Sequence, residues 1–150
     1  EPGLTYHPLV EISLTPICTR SYLAEHPGLS TGDFSGCRII KIASDTYQWP
    51  RWQTQWELLP EIANELVVST VQSSIEAVKS NVGVAMGYLP TSYQFMRSDD
   101  DLVLPLAEKV TRHGECFLAY SNSNKDDDVI RAFHDWVVGV IAKEWSDKII

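Results

Sequence analysis

Short apolar runs, each followed by an amphipathic segment and punctuated by Pro, Gly, Ser or Asp, recur along this chain. That rhythm constrains the fold more than any single motif, and it is the rhythm of an α/β domain. Leu9 to Cys18 alternates in part and carries β-branched residues, as a strand does, and Ser21 is placed to cap a short helix through Tyr22, Leu23 and Ala24 that His26-Pro27-Gly28 ends. Cys37 to Ile42 reads as a second strand. Trp49, Trp52 and Trp56 then fall at spacings of three and four, one face of a helix, with Pro50 suited to its first turn.

Leu66-Val67-Val68 is a short strand running into Ser69-Thr70-Val71-Gln72, a capping-box pattern, after which Val71, Ile75 and Val78 form an apolar stripe. Asn81 to Gly83 closes that helix and Val84-Ala85-Met86 reads as a buried strand. Leu89-Pro90 opens another short helix through Tyr93, Phe95 and Met96. Asp99 to Asp101 marks a turn, and Leu102-Val103-Leu104 and Cys116 to Tyr120 are two more strands. The longest helix follows Asp126 to Asp128, which suit its positive end; its stripe is Val129, Ile130, Phe133, Trp136, Val137, Val140 and Ile141.

At 150 residues the chain is expected to form one core, and a content of 44% hydrophobic and 21% charged residues excludes a disordered or low-complexity chain. Twenty acidic against twelve basic residues give a formal charge of −8, which opposes approach to a phosphate backbone or an anionic bilayer. Cys18, Cys37 and Cys116 are odd in number and form no C-x-x-C pair, so a reducing compartment fits better than a disulfide framework. With no signal-peptide pattern at Glu1-Pro2-Gly3 and no long apolar run, the expectation is a soluble, cytoplasmic domain. Opening on Glu1, it also reads as a piece of something longer.

Gly28-Leu29-Ser30-Thr31-Gly32 spells the nucleophile-elbow pattern G-x-S-x-G, but Glu25-His26-Pro27 before it is no strand, so a plain loop is preferred to a hydrolase. His7, His26, His113 and His134 have no partner at ligand spacing, and the acidic triplets lack the spacing of a calcium loop; no metal, cofactor or catalytic set is expected. The tryptophan stripe is read as core before cleft, and Cys18 and Cys116, in apolar strands, as inert packing. Two clusters do suggest recognition. Ser69 and Thr70 set hydroxyls and backbone N–H groups at a helix start where an anion is stabilised, and Ser44-Asp45-Thr46 follows the strand ending at Ile42. In an open α/β sheet both would lie at carboxyl ends of strands, where crevices form; capping and turn formation are the plainer alternative.

The order of these pieces resembles the effector-binding domain of LysR-type transcriptional regulators, especially the subgroup related to the glycine-cleavage and β-lactamase activators. The resemblance is carried by Leu14 to Leu23, the Trp49 to Trp52 segment, Ala77 to Pro90, and Phe117 to Tyr120 followed by Val129 to Trp136, and it spans nearly the whole chain. It implies a mixed sheet flanked by helices in a periplasmic-binding-protein-like lobe of type II, with Ser13 to Arg112 as the second lobe and residues 1–12 and 113–150 as remnants of an incomplete first lobe. It implies ligand contacts at Ala43, Ser44, Asp45, Ser69 and Thr70, with Phe117 on a crossing strand facing the same cleft.

By the same resemblance the domain is not an enzyme. It senses a small effector, modulates DNA binding by a separate helix-turn-helix domain that this sequence does not contain, and forms homo-oligomers. Hydroxyls and helix N–H groups suit a carboxylate-bearing effector, while Asp45 could accept from an amine. A solute-binding protein of a transporter is the alternative. The apolar stripe Phe133, Trp136, Val137, Val140 and Ile141 is expected to need cover from a second copy, a swapped element or a rearranged final helix.

Overall fold

The structure, a computed structural model, describes residues 3–58, 64–124 and 126–145. The chain divides into two compact units, one made of Ser13–Arg112 and the other of Glu1–Ile12 with His113–Ile150.

The larger unit is built on a mixed sheet. Strand β1 (Leu4–Thr19) enters it at Ser13, and the order continues through β2 (Ile39–Ile42), β3 (Glu65–Val68), β4 (Val84–Leu89) and β5 (Leu102–Val103) in the arrangement β3-β2-β4-β1-β5. β2 runs parallel to both β3 and β4, with Ile42 opposite Val68 and Ile40 opposite Ala85, while β1 is antiparallel to β4 and β5. Three parallel carboxyl ends, those of β2, β3 and β4, therefore share one edge of the sheet.

Side chains alternate across a strand, and here the alternation sorts the apolar residues into two cores. Leu14, Cys18, Ile39, Val84 and Met86 pack on one face with Tyr22, Leu29, Phe34, Trp49 and Trp52. Ile17, Ile40 and Ala85 pack on the other with Ile75, Val78 and Leu102. The first face is covered by α1 (Arg20–Glu25), a 3-10 turn (Pro27–Thr31) and α2 (Gln48–Trp56); the second holds α3 (Val71–Lys79), with Phe95 and Met96 of α4 (Ser92–Ser98) packed against it.

The first two tryptophans of the stripe are core. Trp49 and Trp52 are fully buried, meet edge to face with ring centroids 6.2 Å apart, and satisfy their indole N–H groups on the carbonyls of Ile40 and Lys109 at 3.0 and 2.7 Å.

Several boundaries differ from those expected. The Thr19 hydroxyl, not Ser21, caps α1, accepting from the Tyr22 N–H at 3.0 Å, because extended backbone ends at Thr19 and Ser21 already lies inside the helix. Likewise Thr70, not Ser69, caps α3, and Gln72 turns away to donate to Glu76, so the capping-box register is displaced by one residue. Leu89 completes β4 and α4 begins only at Ser92, whose Oγ accepts from the Tyr88 N–H at 2.9 Å.

In the smaller unit, β6 (Thr111–Ser121) pairs with β1, which that pairing extends back to Leu4, and α5 runs Asp128–Trp145. The Asp127 carboxylate accepts from the Val129 N–H at 2.8 Å, so the acidic run does start the helix. Tyr6 meets Phe117 edge to face at 5.1 Å, and the His7 ring lies 2.8 Å from the Tyr120 hydroxyl and 4.6 Å, centroid to centroid, from His134. Val129, Phe133, Trp136 and Val140 are exposed, and so is Cys116, which was expected to be packed: the run Cys116 to Tyr120 is only partly covered. Among the described residues no helix is long and apolar enough to cross a membrane.

Candidate functional site

The shared edge of β2, β3 and β4 gathers the polar residues. After Ile42 the chain is tied across to the next strand by the Ala43 N–H, which donates to the Val68 carbonyl at 2.8 Å, and turns back tightly as the Asp45 N–H donates to the Ile42 carbonyl at 3.1 Å. Ala43 and Ser44 are exposed at this tip and Asp45 is half-buried. The Tyr88 hydroxyl, arriving from β4, donates to Asp45 Oδ2 at 2.7 Å. Burial, reinforced by the Asp45 carboxylate, pushes the Tyr88 phenol well above its ordinary range, which keeps it a neutral donor.

Below the turn sits Gln48, 1% exposed in the first turn of α2. Its Nε2 donates to the Asp45 carbonyl at 2.9 Å, and its Oε1 has no hydrogen-bond partner. On the neighbouring tip, Ser69 is exposed and Thr70 Oγ1 accepts from the Ser73 N–H at 3.0 Å while meeting Ser73 Oγ at 2.8 Å. The Thr70 hydroxyl is thus spent on capping, leaving Ser69 Oγ and the first amides of α3 as the groups outside the intrahelical ladder.

Of the six residues singled out from sequence, Ala43, Ser44, Asp45, Ser69 and Thr70 share this edge. Phe117 lies in the other unit, on β6, 52% exposed against Tyr6. Sequence reasoning missed Tyr88 and Gln48. A signal for Tyr88 existed: it ends a buried apolar run, and polar groups at carboxyl ends of parallel strands point to the crevice. Gln48 had none, since a buried amide one residue before a tryptophan reads as an ordinary helix residue.

The G-x-S-x-G segment forms the 3-10 turn, where Ser30 Oγ donates to the Pro27 carbonyl at 2.8 Å and Gly32 takes a left-handed conformation; it is not a strand-to-helix elbow. No group of three or more His, Cys, Asp or Glu side chains is placed to hold a metal among the described residues.

A family model described as the LysR substrate binding domain matches residues 1–142. No curated protein matches the sequence. Solved structures share the fold. The effector domain of the transcriptional regulator AmpR of Pseudomonas aeruginosa is 19% identical with a TM-score of 0.74, covering 99% of this chain and 70% of that one. The regulatory domain of CrgA, a LysR-type transcriptional regulator from Neisseria meningitidis, is 19% identical with a TM-score of 0.71, covering 94% and 70%. Full-length LysG from Corynebacterium glutamicum with bound effector Arg is 13% identical with a TM-score of 0.71, covering 95% and 48%.

Proposed function

This chain belongs to the LysR substrate-binding domain family, and from that membership we propose that its sheet edge binds the effector in a regulator of the subgroup that includes glycine-cleavage and β-lactamase activators. The observation that carries the site is the convergence of three parallel strand ends with the start of a capped helix, the place where open α/β sheets bind ligands. Ser44 and Ser69 supply hydroxyls, and the first amides of α3 supply N–H groups, so a carboxylate-bearing effector matches the donors. In this reading Ser13–Arg112 is the second lobe, and residues 1–12 and 113–150, Phe117 among them, belong to the first.

The domain acts without catalysis. An effector that binds one lobe arrangement better than another shifts the population toward it, and a separate helix-turn-helix domain reads the shift at DNA in the cytoplasm. The exposed Val129, Phe133, Trp136 and Val140 of α5 support association with a second copy. Membership of a regulator family favours this over delivery of solute to a transporter.

Titration calorimetry against small carboxylates and amino acids, repeated on Ser44→Ala and Ser69→Ala, tests the site. Binding that weakens in the variants is expected; unchanged affinity in both removes it.

A further inference from the structure

We infer that the solvent-facing stripe of α5 is a two-fold interface, through which two copies of this chain pair with their α5 helices antiparallel. This rests on the association with a second copy proposed above and gives that association a surface and a direction.

α5 carries two apolar stripes. Ile130, His134, Val137 and Ile141 are half-buried, on the side where His134 meets His7 of β1. Val129, Phe133, Trp136 and Val140 each stand one position earlier, and a helix that turns about 100° per residue swings them roughly a quarter-turn away from that side. They are 74, 47, 63 and 41% exposed, and the Phe133 and Trp136 rings lie together with centroids 5.8 Å apart. One stripe is used within the unit, and the other is left to solvent.

The order of the open stripe says what fits it. Its members fall at intervals of four, three and four, the spacing of a seam between two helices. Three positions beyond each end stand Asp126, in the turn before the helix, and Lys143, in its last turn, both exposed. The series Asp126, Val129, Phe133, Trp136, Val140, Lys143 therefore has the same spacing read from either end. A second copy related by a two-fold axis between Phe133 and Trp136 sets Val129 against Val140 and Phe133 against Trp136, each contact made twice, and brings the acidic start of one helix beside the Lys143 end of the other. Apolar meets apolar, and acid meets base. A parallel copy would instead set acidic start against acidic start, like charge on like charge. Along one flank of the stripe Ala132 and Gly139 keep the helix surface low, and Gly139 faces open space, which leaves room for the aromatic rings of a second helix.

Analytical ultracentrifugation of the whole chain over a hundredfold range of concentration reads the assembly. A dimer is expected, with Phe133→Asp and Trp136→Asp each raising its dissociation constant at least tenfold while circular dichroism stays unchanged. Direction is read separately with a short bis-maleimide, on a Cys116→Ser background. The chain carrying both Val129→Cys and Val140→Cys is expected to cross-link into a covalent dimer at least tenfold faster than chains carrying either alone, since the two positions are roughly 16 Å apart along one helix and the reagent cannot join them within a chain. Faster cross-linking of a chain with only one of the two substitutions means a parallel pair and overturns the arrangement. A dimer indifferent to both aspartate substitutions and slow to cross-link uses another surface: the inference falls and association with a second copy stands. A monomer at every concentration removes both.

Discussion

Gly83 lies so close to the carbonyl oxygen of Arg38 that a Cβ atom in its place would clash with it. That closeness is the entry of β4 alongside β2, where the Val84 N–H donates to the same carbonyl at 2.9 Å. The parallel register that brings three strand ends together begins at this contact.

Gly83→Ala is therefore expected to destabilise the larger unit by roughly 3 kcal/mol, the upper range for overpacking, because the neighbouring atom is backbone and cannot swing aside. Urea unfolding followed by tryptophan fluorescence reads it. A midpoint within error of the parent chain contradicts the close approach.

Thr70 and Ser69 separate by role. Thr70→Ala removes the hydroxyl that accepts from Ser73 and is expected to cost about 1 kcal/mol, whereas Ser69→Ala should stay within about 0.5 kcal/mol. Equal losses in the two variants would return the cap to Ser69.

Trp52 joins α2 to the segment before β6 through its indole N–H and the Lys109 carbonyl. Trp52→Phe keeps an aromatic ring but leaves that carbonyl without its donor, an expected loss of about 1–3 kcal/mol before any cavity is counted. Trp52→Ala should cost more, about 3–5 kcal/mol. Chemical denaturation of both variants orders them, and a Phe variant as stable as the parent would show the hydrogen bond contributes nothing.

The cysteines should divide by exposure. Cys116 is exposed and is expected to react with a thiol reagent in the folded chain, while Cys18 and Cys37 react only after unfolding. Burial pushes the Cys18 thiol from an ordinary 9.0 up to about 12, and raises Cys37 and Tyr22 as well. A raised value means the folded chain keeps a proton the unfolded chain releases. The associated stability is complete below about pH 9, falls as pH rises from there, and is fully lost by about pH 12. Urea midpoints at pH 7, 9 and 10.5 should decline only across the last interval, and the decline should be shallower in Cys18→Ala.

Much of the architecture was legible along the chain. Ile39 and Ile40, or Val84, Ala85 and Met86, alternate between two faces, and each such run precedes or follows a segment with helical periodicity, so both cores were implied by spacing alone. Caps were legible to within two residues, because Ser21, Thr19, Ser69 and Thr70 are all able to cap and only the last extended residue of each strand selects one. Cys116 misled because an apolar run looks the same whether or not anything covers it.

The sequence by itself determined which residues share one face of a strand or helix, since hydrophobic period is a local property written in side-chain order. Tertiary structure decided the site. Asp45 and Tyr88 stand 43 positions apart, and nothing in their local patterns links them. They meet because β2 and β4 run parallel in adjacent register, which aligns two strand ends that the chain itself keeps far apart.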